Sequence, residues 1–262
     1  MVVNSVAVPA DGSALKVGVG ATPGARLDVA AAKPSIAAAA GVDVVVAPRE
    51  PLKAASRYAD SAPYYSGSFL NSEVAWCTTG IPVMDSAGKN YMVTAYHCGK
   101  TGVRFRNGDD ASVGWSVNHN SYWDASLIDT PSARWEYDGP KGGSYQRFKL
   151  TSTAYSYNGD YVHQNGYTSG VVGGIVVDDQ DVEYHVVGSS YGTYTVRGVS
   201  GHQVNGGCSV QGGDSGGLVF RYVNEEAREV RGVVSAGDCS EILWTEARDI
   251  YKAFGVQLTT RE

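Results

Sequence analysis

The chain lacks an apolar run near the roughly 18 residues that a membrane helix needs. Its best candidate, Ile36 to Val46, is short and broken by Asp43. It also lacks a basic run longer than two residues, and its net charge is -6 with a pI near 5.4. Nucleic acid is therefore disfavoured as the main partner, because phosphate binding needs a concentrated basic surface. Charge is sparse, at 18%, against 43% hydrophobic residues, so disorder is not the main state. None of the four cysteines forms a CxxC pair, which argues against a zinc ribbon or thioredoxin-type site. No apolar block follows a basic start, and the first basic residue is Lys16. A removed leader, or a start other than the biological one, is expected. Long-period repeats are absent as well.

The first 57 residues contain no aromatic residue, cysteine or histidine, yet hold 15 alanines and five of the nine prolines. Aromatics begin at Tyr58 and then recur, which marks a boundary near residue 58. We expect residues 1–60 to be a leader or prosegment-like segment with a linker, and residues 61–262 to be the main domain. In the first part, Ser5–Pro9 and Ala14–Val19 around the turn Ala10–Ser13 read as a hairpin. Pro34–Ala40 reads as a short helix opened by Pro34 and stopped by Gly41, and Val42–Val46 as a strand. Pro48 to Pro63 reads as a linker.

Beyond Tyr64 the composition is that of an all-β protein. Glycine is one residue in eight, 33 of 262, and there are 17 tyrosines. Short strands are predicted at Tyr91–Ala95, Ala125–Ile128, Gly174–Val177, Tyr184–Val187, Leu218–Tyr222 and Val230–Ser235. Turns are predicted at Asn107-Gly108-Asp109, Asn158-Gly159-Asp160 and Asn165-Gly166. A helix over Thr245–Phe254, stopped by Gly255, closes the pattern.

The cysteines, Cys77, Cys98, Cys208 and Cys239, allow three pairings. Local pairing would close loops of about 20 and 30 residues and contribute about 3–4 kcal/mol each. Four buried thiols fit the composition equally well.

The segment Gly212-Gly213-Asp214-Ser215-Gly216-Gly217 places one serine among four glycines before the strand Leu218-Val219-Phe220. A serine nucleophile needs a base and donors for an oxyanion, and glycines let backbone N–H groups converge. The G-x-S-x-G pattern of α/β-hydrolases is also met, but those enzymes place their histidine after the serine, and here the last histidine is His202. The base must lie upstream. His97 follows a strand and adjoins Cys98, so its loop has a means of being pinned. His119, His163, His185 and His202 lie among polar and turn residues and read as surface histidines. An orienting carboxylate is offered by Trp123-Asp124-Ala125-Ser126-Leu127-Ile128-Asp129. Asp124 opens the apolar stretch and is preferred; Asp129 reads as a solvated turn residue on the opposite face.

The order His, Asp, Ser, with Thr94-Ala95-Tyr96-His97-Cys98, Asp124-Ala125-Ser126-Leu127-Ile128 and Gly213-Asp214-Ser215-Gly216-Gly217, resembles the chymotrypsin-like serine proteases, notably the bacterial streptogrisin and α-lytic branch. Val234-Ser235-Ala236-Gly237 and the ending Ala253-Phe254-Gly255-Val256 are similar to that branch too. The resemblance implies an all-β fold of two perpendicular six-stranded antiparallel barrels with a short C-terminal helix, the barrels spanning about 64–138 and 139–262. It implies disulfides Cys77–Cys98 and Cys208–Cys239, and hence an oxidising, extracellular setting. It implies a secreted endopeptidase with the triad His97, Asp124 and Ser215. Gly213 and Ser215 would form the oxyanion hole, and Ser235 and Gly237 would pair with substrate backbone. Protein or peptide substrates, and proteinaceous inhibitors, would be its partners. No metal, organic cofactor, nucleic acid or membrane is implied, and a monomer is expected.

Departures from the family pattern are Tyr96, where a small residue is usual, and the absence of an Ile-Val-Gly-Gly-type start, which leaves Asp214 to an internal partner; Arg147 is the candidate. The segment Val162–Gly170 is similar to a pocket-forming one without its cysteine. Asp238 near the pocket admits a basic preference, and the neighbouring Gly and Ser residues admit a small or apolar one. Two other readings stay open: a catalytically silent binding or adhesion protein on this fold, and a zymogen blocked by residues 1–57.

Overall fold

The computed structural model describes residues 1–22, 24–49, 56–140 and 146–262. The chain divides into two units, Met1–Ala54 and Ala55–Glu262.

In the first unit, strands Val2–Ala7 and Leu15–Gly20 pair antiparallel, and Val44–Pro48 pairs parallel to the second of them. Val17, Val19 and Val44 form a small core with Leu27 and Ile36 against it. The helix runs Val29–Ala40 and is longer than the expected Pro34–Ala40. Asp28 starts it, accepting a hydrogen bond from Ala31 N at 3.0 Å, and Gly41 ends it at φ +69°. Pro34 lies inside it, because a capped run of alanines outweighs one missing N–H. Of the expected linker, residues 50–55 lie outside the described residues. Arg57 and Asp60 belong to the second unit and are buried there.

The second unit carries a closed barrel. Its ring of antiparallel strands runs Tyr161–Gly166, Gly170–Ser189, Gly192–Gln203, Ile242–Glu246, Ala227–Gly237 and Leu218–Tyr222, the last returning to the first. The other barrel is a half-barrel: an open sheet ordered Val256–Leu258, Pro82–Asp85, Asn90–Thr94, Ala125–Asp129, Ser112–Asn120, Arg104–Arg106, Phe69–Asn71 and Trp76–Thr78. Two pairings are parallel, Arg147–Thr153 on Ala227–Gly237 and Ser132–Tyr137 on Tyr64–Ser66. Each sheet has its own core, with Leu70, Met92, Phe105 and Ile128 in one and Val162, Ile175, Val199 and Trp244 in the other.

A third core joins the two sheets. Val83, Val93 and Leu127 from the half-barrel meet Leu150, Leu218, Phe220 and Val233, with Ile250 of the helix Ala247–Phe254. Truncating Leu127, Leu150, Leu218 or Ile250 to Ala would cost about 2–5 kcal/mol. The helix starts two residues later than expected, because Thr245 and Glu246 remain in strand.

Asn165-Gly166 is not a turn. Both residues lie in the strand Tyr161–Gly166, and the turn follows at Tyr167–Ser169. Gly166 is there for space, since a Cβ would run into the Asp214 carboxylate.

Candidate active site

The strand Asn90–Thr94 ends at Ala95, which is extended, and the chain turns through Tyr96–Cys98. Cys98 is bonded to Cys77. This bridge ties the turn to Thr78, whose N–H donates to the Ser215 carbonyl (2.8 Å) and whose hydroxyl donates to the Gly213 carbonyl (2.8 Å). One disulfide thus links the mounting of His97 to that of Ser215. The second, Cys208–Cys239, joins the start of the serine loop to the end of the strand Ala227–Gly237. The sulfurs of Cys77 and Cys98 lie within 4.8 Å of a His97 ring nitrogen, but they are bonded to each other and offer no thiolate to a metal.

Asp124 is fully buried and has a left-handed φ of +37°, which asparagine and aspartate tolerate better than most residues. Its carboxylate meets four donors. His97 N donates at 3.2 Å, and His97 Nδ1 lies 2.9 Å from Oδ2 and 3.2 Å from Oδ1. The hydroxyls of Tyr194 and Ser235 donate at 2.9 and 2.5 Å. Burial pushes this carboxyl up, but the adjoining imidazole and the hydroxyl donors outweigh it and hold Asp124 below the usual range. Burial likewise works against a charged His97, yet Asp124 holds the imidazole above its ordinary 6.5. Asp129 instead pairs with Lys89 (2.6 Å) at the surface.

Ser215 follows the turn Gln211–Asp214, closed by Asp214 N donating to Gln211 O at 3.0 Å. Gly213, at φ +99°, occupies the turn position that requires a positive φ. The Thr168 hydroxyl donates to the Gly212 carbonyl at 2.9 Å, which fixes the Gly212–Gly213 peptide and turns the Gly213 N–H the opposite way. Among the described residues the His97 ring bonds Asp124, and Ser215 Oγ has no hydrogen-bond partner.

Asp214 is buried, and Arg147 is not its partner. Arg147 is exposed and donates to the Tyr65 hydroxyl (3.0 Å). Asp214 accepts from Ser169 Oγ (2.6 Å), Ser169 N (2.9 Å) and Gln211 N (2.9 Å), with Gln164 Nε2 at 3.5 Å. Neutral donors close to the turn satisfy it, so it needs no directly bonded cation. Arg57, also buried, donates to Gly166 O at 3.5 Å.

The strand edge at Ser235–Gly237 is open on one side among the described residues. Ladder pairing with Leu218–Tyr222 ends at Val233, while the other edge stays paired through Gly237. A Cβ on Gly237 would collide with the Glu241 carbonyl and lie 2.7 Å from Val210, so only glycine fits there. Asp238 is exposed and accepts from Ser240 and Glu241, within its own turn. Tyr96 packs against His119, Tyr191 and Tyr194, at ring separations of 5.0–5.2 Å. His163 is not a surface residue as expected. It stacks on Phe220, and its Nδ1 is buried without a partner. Its strand pairs with Leu218–Tyr222, which the polar residues around it concealed.

Sequence reasoning missed Thr78, Thr168, Ser169 and Tyr194, and gave Ser235 only a backbone role. Isolated hydroxyls carry no periodic signal; only the fold shows what they reach.

No protein-family model matches this chain, and no curated protein matches it. Solved structures do. Protease A of Thermobifida fusca is 20% identical over 75% of this chain and 98% of its own, with a TM-score of 0.59. A Nocardiopsis protease is 19% identical with the same coverage and a TM-score of 0.58. A chymotrypsin of Cellulomonas bogoriensis is 20% identical, again covering 75% and 98%, with a TM-score of 0.57. The mostly β architecture of this chain, with its closed barrel, half-barrel and short C-terminal helix, is the fold of bacterial chymotrypsin-like serine proteases.

Proposed function

We propose that this chain is a secreted serine endopeptidase acting through an acyl-enzyme. The observation that carries the reading is the buried Asp124 bonded to Nδ1 of His97, on a loop yoked to Ser215 through Cys77–Cys98 and Thr78. Ser215 Oγ attacks the peptide carbonyl. His97 takes its proton through Nε2 and then passes it to the leaving amine, while Asp124 fixes the Nδ1–H tautomer and stabilises the imidazolium. The N–H groups of Gly213 and Ser215 receive the oxyanion, at about 3 kcal/mol per donor. The open edge at Ser235–Gly237 takes the substrate as an added strand. The two disulfides fit an extracellular site of action.

A second reading, a binding protein that does not cleave, is favoured by the unpartnered Ser215 Oγ. Catalytic hydrogen bonds are often long before substrate binds, so we prefer the first. In a third, residues 1–57 act as a prosegment that holds the enzyme as a zymogen.

Labelling with a fluorophosphonate probe, with mass mapping, separates the three. The full chain and a sample cut ahead of Arg57 are compared. Labelling at Ser215, lost in Ser215→Ala, is the expected result, and labelling only after the cut identifies a zymogen. Folded protein that stays unlabelled in both forms would leave the binding reading.

A further inference from the structure

The longest hairpin of the chain, Gly170–Ser189 with Gly192–Gln203, belongs to the closed barrel, yet its side chains reach the histidine loop of the half-barrel. Near its tip, Tyr191 accepts a hydrogen bond from Lys100 N at 3.3 Å, and its ring lies under Lys100 Nζ at 5.1 Å. Tyr96 is held between Tyr191, Tyr194 and His119. From the same hairpin, the Tyr194 hydroxyl donates to Asp124 Oδ1 at 2.9 Å.

A carboxylate offers about four acceptor sites, and four donors reach Asp124: His97 N, His97 Nδ1, Tyr194 and Ser235. The phenol takes a share of the negative charge that would otherwise act on the imidazole. We infer that Tyr194 is a positioning residue that lowers the proton affinity of His97 by hydrogen-bonding Asp124, so that the hairpin of one barrel tunes the base carried by the other. This rests on reading His97, Asp124 and Ser215 as the catalytic triad. Burial and the neighbouring Asp124 raise the Tyr194 phenol, which keeps it a donor across the working pH range.

The sign follows from the charge. Without the phenol donor, Asp124 is less neutralised, imidazolium is favoured and the His97 pKa rises. Tyr96 on the histidine loop and Tyr184 and Tyr194 on the hairpin lie next to Asp124, while Tyr191 and His119, the latter on the strand Ser112–Asn120, pack on Tyr96, and Lys100 packs on Tyr191. Of these, His119 is the other imidazole.

The test uses the full chain, cut ahead of Arg57 if that proves necessary for labelling. The rate of inactivation by a fluorophosphonate is followed against pH, and His97 is titrated by NMR. In Tyr194→Phe both midpoints should rise by about 0.5–1 unit, a threefold to tenfold gain in proton affinity. Placing 3-fluorotyrosine at 194 keeps the ring and strengthens the donor, so both midpoints should fall; this variant also covers failure of Tyr194→Phe to fold. His119→Asn should leave the inactivation midpoint in place. The inference is overturned if a folded Tyr194→Phe loses rate evenly at every pH with both midpoints unmoved, or if His119→Asn moves the inactivation midpoint as far. The NMR titration needs no turnover, so failure of the protease reading, seen as no labelling at Ser215, is distinguishable from failure of this one.

Discussion

Two buried carboxylates of the second unit invite comparison. Asp60, in the stretch that leads into the half-barrel, accepts from Ser61 N (2.8 Å), Tyr65 N (3.1 Å), Ser68 Oγ (2.7 Å) and Tyr137 OH (2.8 Å). Asp124 also accepts from four donors. Burial nevertheless leaves Asp60 above the ordinary carboxylate range, whereas Asp124 lies below it. Donor count and depth are alike, so they do not decide the outcome. Asp124 faces a ring that becomes cationic, and every donor to Asp60 is neutral. A full set of neutral hydrogen bonds leaves a buried carboxylate raised; a chargeable partner lowers it and lets it balance an imidazolium.

The sharpest way to break this comparison is to remove the negative charge at each site. Asp124→Asn should fold and lose about 10³–10⁴-fold in turnover, through the wrong tautomer and an unsupported imidazolium. Asp60→Asn should stay within a few fold, because no step of the mechanism uses its charge. Asp129→Asn should be nearly silent, since its ion pair with Lys89 is exposed. Peptide hydrolysis by the three purified variants checks this. Equal losses in Asp124→Asn and Asp60→Asn would show that both aspartates are only structural supports.

The two sites also differ in how readable they were. His97, Asp124 and Ser215 each lie in a short segment with a local signature: an adjacent cysteine, the head of an apolar strand, or flanking glycines. The hydroxyl donors carry no such mark. Ser235 reaches Asp124 across 111 residues of chain, Tyr194 across 70, and Thr168 reaches Gly212 across 44. The strands were legible from β-branched and aromatic runs. Closure was not, because it depends on Leu218–Tyr222 pairing with two different strands at once. The absent Ile-Val-Gly-Gly-type start points to an internal arginine for Asp214, whereas neutral donors from Ser169 and Gln211 satisfy it. In the first unit, Pro34 carries the helix-start signal, whereas the actual cap, Asp28, stands before a run too alanine-rich to show periodicity.

A third carboxylate extends the series. Glu246 is buried, accepts from Ser156 N at 2.7 Å, and leaves Oε2 without a partner. Burial raises it to about 7. The unfolded chain releases this proton near 4.5 and the folded chain only near 7, so between those values the folded state binds more protons. Stability contributed by the neutral form is fully present below about 4.5 and falls as pH rises towards 7. Glu246→Gln removes the ionisation. Urea melts at pH 5 and pH 8 should show the wild type losing about 1–3 kcal/mol relative to the variant. A difference that does not change with pH would mean that Glu246 is ionised in the fold at a cost met by groups other than Ser156.

A smaller effect than that of Asp124→Asn concerns a single neutral hydrogen bond. The Thr168 hydroxyl holds the Gly212 carbonyl, and through that peptide it aims the Gly213 N–H. With a hydrophobic isostere in its place, the turn could swing its central peptide, since the flanking glycines tolerate either orientation. A peptide that spends part of its time reversed withdraws one oxyanion donor. Thr168→Val should therefore lower kcat by about tenfold, or about 1.4 kcal/mol, with KM nearly unchanged, because the lost interaction belongs to the transition state. Thr168→Ser should restore most of it. A rise in KM at constant kcat would instead place Thr168 in substrate binding.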